Sequence, residues 1–121
     1  LNAAICSRAV ADTVTRALKA VTEEGTARRL RGARCTVAGK TGTSFGTYEN
    51  GQYADERGRR KYQGTFVGFF PADDPKYSII CTVYSKPTSR SFQGGGIPAS
   101  AVRTVIDRLY NLDLDLSADG K

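Results

Sequence analysis

The stretch that decides the fold is "YQGTFVGFFPADDPKYSIICTVYS", at residues 62–85. Its two halves, "YQGTFVGFF" and "YSIICTVYS", are rich in β-branched and aromatic residues, which favour β-strands. The segment between them, "PADDPK" at residues 71–76, supplies the proline and aspartate that favour a tight connection. The sequence therefore predicts an antiparallel β-hairpin over residues 62–85.

A third strand is predicted upstream of the hairpin. The stretch "VAGKTGTSFG" is strand-like and places a strand within residues 35–46, with Gly39 and Gly42 inside it. Glycine weakens a strand and often marks the close approach of a ligand to the backbone. Residues 47–61 are polar, contain an Asn-Gly turn signal and predict a loop.

Two helices flank the strands. Apolar residues at three- and four-residue spacing predict a helix over 3–24, within the N-terminal segment 1–25, with Asn2 as N-cap and Gly25 as the C-terminal stop. The predicted apolar face consists of Ile5, Cys6, Ala9, Val10, Val14, Leu18 and Val21. A second apolar stripe predicts a closing helix over 97–112, followed by a polar tail at 113–121.

These elements predict one α+β domain over residues 1–121. Each helix has a single apolar face that must be covered. The expected solution is an α/β sandwich in which a three-stranded antiparallel sheet carries the N-terminal and C-terminal helices on one face.

Composition excludes several classes of site. The chain has no histidine, so histidine catalysis and histidine-ligated metal sites are excluded. Its three cysteines form no CxxC pair, so no metal site and no cofactor are expected. Cys6 and Cys81 lie in apolar patterns and are predicted to be buried.

The net charge of +6 is interpreted as a solvated surface, with no nucleic-acid partner. Without an apolar run of transmembrane length, the chain as given is expected to be soluble.

A phosphate-binding loop is the first interpretation that "AGKT" suggests. The Walker A pattern GxxxxGK[ST] would need its first glycine at position 34, which is Arg34. The pattern also needs a helix directly after the lysine, whereas "TGTSFG" follows here. Both departures argue against phosphate binding.

The stretch Lys40-Thr41-Gly42-Thr43 instead matches the K-[ST]-G motif of penicillin-recognising serine acyltransferases. On an extended strand Lys40 and Gly42 share one face, and Thr41 and Thr43 share the other. Gly42 leaves room for a ligand along the backbone. The Thr43 N–H could hold a carbonyl oxyanion, and hydroxyls beside a lysine could bind a carboxylate.

The flanking sequence resembles the C-terminal part of the penicillin-binding protein transpeptidase domain, and is most similar to class B, the monofunctional enzymes. The resemblance rests on four stretches: "VTEEGTARRL", "VAGKTGTS", "GTFVGFFPADDPKYSIICTVYSKP" and "GGGIPASAVRTVIDRLY". It implies a partial β-lactamase/transpeptidase-like fold. It also implies a parent enzyme that cross-links peptidoglycan stem peptides through a serine acyl-enzyme, with Lys40 and Thr43 as catalytic residues and Thr41, Gly42 and Thr43 binding substrate.

Two motifs of that family are missing from the chain. No serine is followed by lysine three positions later, and none by asparagine two positions later, so the SxxK nucleophile and the SxN motif are absent. In the family both precede KTG, so the chain is expected to be a truncated piece that is inactive alone. A small α+β binding or scaffold module with an incidental KTG is the alternative, and a β-lactamase or carboxypeptidase would share the motif.

The resemblance also implies partners and a location. The intact parent would bind the D-Ala-D-Ala end of stem peptides and β-lactams, within a cell-wall synthesis complex. It would be anchored in the cytoplasmic membrane, with this domain in the periplasm or its extracytoplasmic equivalent. The strand from Tyr77 to Ser85 would normally pair with a strand outside this chain, so it predicts a homodimer through its exposed edge.

Two further features stay open from the sequence. Phe45 and Tyr48 could line a substrate groove beyond the motif or pack on the strand. The glycines at 94–96 could be a connector or could provide space near the cleft.

Overall fold

The computed structural model describes residues 4–86 and 95–112. Its elements are α1 (Arg8–Glu23), a 3₁₀ turn (Arg28–Leu30), β1 (Ala38–Gly46), β2 (Lys61–Phe70), β3 (Tyr77–Tyr84) and α2 (Ile97–Leu112). The strands form an antiparallel sheet in the order β1-β2-β3. The predicted α+β fold, with a three-stranded antiparallel sheet and two helices, is therefore confirmed. The predicted polar tail at 113–121 lies outside the described residues.

Helix α1 begins later than the sequence predicts. Ser7 is its N-cap, and the Ser7 hydroxyl accepts a hydrogen bond from the Val10 N–H at 3.4 Å. The predicted cap, Asn2, lies outside the described residues and is too far upstream to serve. Gly25 follows the C-cap as predicted. A Cβ built at Gly25 would lie 2.9 Å from the Val21 Cα, so close packing accounts for the glycine.

The apolar face predicted for α1 is buried only towards its C-terminal end. Val10 and Val14 are each 51% exposed, whereas Val21 packs against the core. Cys6 is exposed, so its predicted burial is wrong. Cys81 is half-buried against the core. The physical reason is that α1 contacts β1 and the 3₁₀ turn, and its long-range hydrogen bonds come from its C-terminal half, from Lys19 to Asp73 and from Thr22 to the Val37 carbonyl.

The core is centred on β2 and α2. Its largest buried side chains are Phe66, Phe70, Val102 and Ile106. Gly39 on β1 and Gly68 on β2 are register partners beside the Phe66 ring. A Cβ at Gly39 would overlap that ring, and one at Gly68 would lie 2.8 Å from it. Gly39 therefore makes room for a core side chain, not for a ligand as the sequence suggested.

Helix α2 also holds the segment that follows α1. The Arg103 guanidinium donates to three backbone carbonyls at 3.0–3.3 Å, those of Arg29, Arg31 and Gly32. The Asp107 carboxylate accepts from the Arg34 N–H at 3.1 Å. Because charge-assisted hydrogen bonds are the stronger ones, these contacts fix the 3₁₀ turn and the residues after it relative to α2.

The connection between β1 and β2 spans residues 47–60 and folds on itself. Gly51 and Gly58 have φ of +76° and +72°, in the left-handed region that glycine adopts readily. The Asp55 carboxylate accepts from the Arg59 N–H at 2.8 Å and from its guanidinium at 2.7 Å. Hydrogen bonds from the Arg59 and Arg57 backbone and from the Arg59 side chain hold the pKa of Asp55 below its ordinary value. Arg59 therefore closes the loop.

In the part of the chain that the structure describes, neither helix has the length and apolar character needed to cross a membrane.

Candidate active site

The backbone of β1 presents every second residue to the outer edge of the sheet. The Ser85 N–H donates to the Tyr62 carbonyl at 2.8 Å, which makes these residues a hydrogen-bonded pair of β2 and β3. Such pairs alternate along an antiparallel ladder, so Gln63, Thr65 and Val67 direct their backbone groups towards β1. It follows that the backbone N–H and C=O groups of Lys40 and Gly42 are directed towards β2. Those of Thr41 and Thr43 are directed away from it, to the outer edge of the sheet.

Two hydrogen bonds observed at that outer edge agree with this alternation. The Thr22 hydroxyl of α1 donates to the Val37 carbonyl at 2.6 Å, and Thr22 is buried. Further along, the Lys40 ammonium donates to the Thr41 carbonyl at 2.9 Å. Helix α1 therefore covers the edge before the motif, while residues 42–45 of β1 are exposed.

The four motif residues lie on both sides of this edge. Thr41 pairs in register with Phe66, so its side chain lies on the core side of the sheet. Lys40 pairs with Val67 on the opposite side, where Val67 is 49% exposed. A Cβ built at Gly42 would meet no atom within 4 Å. The structure thus gives the face assignment predicted for Lys40, Thr41, Gly42 and Thr43, with open space at the glycine.

A cavity of about 830 Å³ opens beside the two threonines. Thr41 and Thr43 of β1 line it, and so do Arg28 and Arg29 of the 3₁₀ turn. The rest of the lining consists of Glu24, Gly25, Thr26, Gly95 and Gly96. A lining with two arginines and one glutamate, together with threonines, has a composition that suits an anionic ligand such as a carboxylate.

The glycines before α2 lie at this cavity. A Cβ built at Gly95 would overlap the Thr26 carbonyl oxygen and would lie 3.7 Å from the Thr41 side chain. The Thr26 and Thr41 hydroxyl oxygens are 2.7 Å apart. Gly95 and Gly96 therefore lie at the cavity, and close packing on the Thr26 backbone accounts for the glycine at position 95, while Gly94 lies outside the described residues.

An aromatic pocket of about 360 Å³ lies beyond the motif on β1. Phe45, Tyr53 and Tyr62 line it together with Thr43 and Ser44. Phe45 and Tyr62 pack with ring centroids 5.3 Å apart. Tyr48, in contrast, donates to the Arg59 carbonyl at 3.0 Å and packs within its own loop. Phe45 therefore both lines this pocket and packs on Tyr62 of β2, and Tyr48 is part of the loop.

Three candidate nucleophiles, Cys35, Ser44 and Ser100, do not have the required surroundings. Burial, assisted by the Asp107 carboxylate, raises the pKa of the Cys35 thiol to about 11. Cys35 is therefore protonated at neutral pH, and the thiolate is the reactive form of cysteine. The Ser100 hydroxyl donates to the Gly96 carbonyl at 3.1 Å within the first turn of α2. Ser44 and Ser100 both lack the lysine three positions later that an SxxK serine requires.

Several residues at the cavity were not predicted from the sequence. Thr26, Arg28 and Arg29 come from the turn after α1, and Tyr53 comes from the long loop. No motif or periodicity marks them, because they meet β1 only through the packing of separate segments. The arginine pair in "TARRL" was visible as local charge, but charge alone does not indicate a cavity.

Comparisons with known proteins agree with the motif and its surroundings. The family model described as the penicillin binding protein transpeptidase domain matches residues 2–107. A probable peptidoglycan D,D-transpeptidase PenA of Neisseria flavescens is 33% identical over 76 residues, which cover 63% of this chain and 18% of that protein. The transpeptidase domain of the FtsI4 D,D-transpeptidase from Legionella pneumophila superposes with a TM-score of 0.68 and 28% identity.

The matched region is a small part of each relative. The superposition covers 89% of this chain and 38% of the Legionella chain. A peptidoglycan D,D-transpeptidase FtsI homolog of Chlorokybus atmophyticus is 32% identical over 76 residues, which are 10% of its length. The match therefore spans less than a fifth of the length of either curated relative, and the chain spans about two fifths of the solved domain.

Proposed function

Because the chain belongs to the penicillin-binding protein transpeptidase domain family, we propose that it forms the substrate-binding wall of a D,D-transpeptidase active site. The proposed enzyme cross-links peptidoglycan stem peptides through a serine acyl-enzyme. Family membership argues against the alternative of a scaffold module with an incidental KTG.

The observation that carries this proposal is the arrangement of Thr41 and Thr43 at the exposed edge of β1. Their side chains line the cavity, and their backbone groups are directed outwards along the edge. In the proposed complex the terminal D-Ala-D-Ala segment lies along this edge over Gly42. The Thr41 and Thr43 hydroxyls bind its carboxylate, and the Thr43 N–H donates to the oxyanion. Lys40, on the other side, completes a proton network with the serine.

The proposed reaction needs the serine of an SxxK motif, and these 121 residues contain no such motif. A serine Oγ attacks the carbonyl of the D-Ala-D-Ala bond, and the terminal D-Ala leaves with the proton that the serine gives up. The amine of a second stem peptide then attacks the acyl-enzyme and releases the serine. β-Lactams imitate the dipeptide in the first step, and the site is completed by residues outside this chain.

Ligand binding to the chain tests the proposal directly. On a sample shown by circular dichroism to be folded, N-acetyl-D-alanyl-D-alanine is expected to shift the backbone amide NMR signals of residues 41–43 in a saturable way. The L-alanyl-L-alanine analogue is the matched control and is expected to leave them unchanged. Incubation with benzylpenicillin is expected to give no covalent mass gain. Equal responses to the two dipeptides, or shifts confined to other residues, would contradict the proposed site.

A homodimer through the strand edge from Tyr77 to Ser85 stays a prediction. β3 is the second edge strand of the described sheet, and its Ile80 and Tyr84 side chains are each 69% exposed. Exposed apolar edges favour pairing with another strand. Sedimentation analysis is expected to show a dimer, and a monomer at every concentration would count against it.

The proposed activity also implies a location. Its substrate lies outside the cytoplasmic membrane, so the domain is proposed to work on the extracytoplasmic side, anchored through the protein that contains it. Membership in a cell-wall synthesis complex is likewise a proposal.

A further inference from the structure

Thr26 contacts the KTG strand through a short hydroxyl contact. Its Oγ1 lies 2.7 Å from the Thr41 Oγ1, the usual distance for a hydrogen bond between hydroxyls. Thr26 comes from the segment after α1 and lines the same cavity as Thr41 and Thr43. The Gly95 backbone packs so closely on the Thr26 carbonyl that no side chain fits between them. The Thr26 backbone thus packs against the turn that precedes α2.

The number of protons restricts how this pair can work. Each hydroxyl has one proton to donate and two lone pairs with which to accept, whereas an ionised carboxylate only accepts. Thr41 can donate to a carboxylate only if it does not donate to Thr26. In that case Thr26 must donate the hydrogen bond between the two hydroxyls, and Thr41 must accept it. A hydroxyl that accepts one hydrogen bond is also polarised into a stronger donor of its own.

We propose that Thr26 is a positioning residue that fixes Thr41 as the donor to the carboxylate of the peptide ligand. This inference rests on the proposed function, since it names how one of its binding groups is oriented. Thr26 acts through Thr41, and Gly95 holds Thr26 in place.

The test compares Thr26→Val, which keeps the shape of the side chain, with Thr26→Ser, which keeps the hydroxyl. The probes are N-acetyl-D-alanyl-D-alanine and its C-terminal amide, with dissociation constants measured by amide NMR titration. Thr26→Val is expected to lower the preference for the carboxylate over the amide roughly 3- to 10-fold, the range of one hydrogen bond. Thr26→Ser is expected to retain the preference of the unmodified chain.

Thr82→Val is the matched control, because it breaks another threonine hydroxyl pair, with Thr65 at 3.1 Å, two strands away from β1. It is expected to bind both probes like the unmodified chain. Melting temperatures of all variants show whether the fold is kept, and Thr26→Ala replaces Thr26→Val if the valine variant does not fold.

Three results separate this inference from the proposed function. Equal weakening of both probes by Thr26→Val would indicate a merely structural role and overturn the inference. The same loss in Thr26→Ser as in Thr26→Val would also overturn it, because the hydroxyl would not be the cause. An unmodified chain that responds to neither probe would contradict the proposed function itself, and the inference with it.

Discussion

Replacing Lys40 by glutamine is expected to lower the rate of acylation by benzylpenicillin about 100- to 10,000-fold, the usual range for losing a proton-transfer group. The experiment uses a transpeptidase domain in which this chain is completed by SxxK and SxN motifs, for example by fusion to the N-terminal part of the Legionella domain. Lys40 lies beside the exposed edge of β1, and its ammonium already reaches the Thr41 carbonyl at 2.9 Å. Glutamine removes the positive charge while keeping a polar side chain there.

Two control variants separate the loss of Lys40 itself from the loss of a positive charge elsewhere on the chain. Lys40→Arg retains the positive charge and is expected to lose less activity than Lys40→Gln. Lys86→Gln removes one lysine charge just beyond β3 and is expected to react like the unmodified fusion. Fluorescent penicillin labelling followed over time gives the rates. If Lys40→Gln is acylated as fast as the unmodified fusion, the role proposed for Lys40 is wrong.

Gly39→Ala and Gly42→Ala are expected to affect different properties, although the two positions are three residues apart on one strand. Gly39→Ala is expected to lower stability, and Gly42→Ala is expected to lower ligand affinity. A Cβ at Gly39 would overlap the Phe66 ring and lie 2.5 Å from the Val67 carbonyl oxygen. Gly39→Ala is therefore expected to lower the free energy of unfolding by about 1–3 kcal/mol, as overpacking does. A Cβ at Gly42 meets nothing, so Gly42→Ala is expected to change stability by less than about 0.5 kcal/mol.

The expected effects on ligand affinity have the reverse order, with the larger loss in Gly42→Ala. A methyl group at Gly42 would occupy space along the edge where the dipeptide is proposed to lie. Its expected cost is about 3- to 10-fold in affinity for N-acetyl-D-alanyl-D-alanine, the range of one lost hydrogen bond. Gly39→Ala, where it remains folded, is expected to bind normally. Urea denaturation and NMR titration measure the two quantities, and a destabilised Gly42→Ala with unchanged affinity would refute the assignment of open space to substrate.

The predictions made from the sequence held best where local chemistry alone determines structure. The hairpin follows from two β-rich segments and a short proline-containing connection. The start of α1 was predicted too early, because the apolar periodicity continues through Ile5, while Ser7 provides the actual cap. Periodicity shows that a face is apolar, but burial requires a partner element, and Val10 and Val14 each stay 51% exposed in the described structure.

The sequence by itself determined the α+β fold, the alternation of Lys40 and Thr41 across the strand, and the absence of an SxxK serine. These are properties of nearest neighbours and of motif spacing. Only the tertiary structure decided which strand glycine faces the core and which faces open space. It also decided that Thr26 and Gly95, 69 positions apart in the sequence, meet at Thr41. The reason is that such contacts depend on how separate segments pack. The spacing of residues along the sequence does not indicate which distant segments lie close together in the fold.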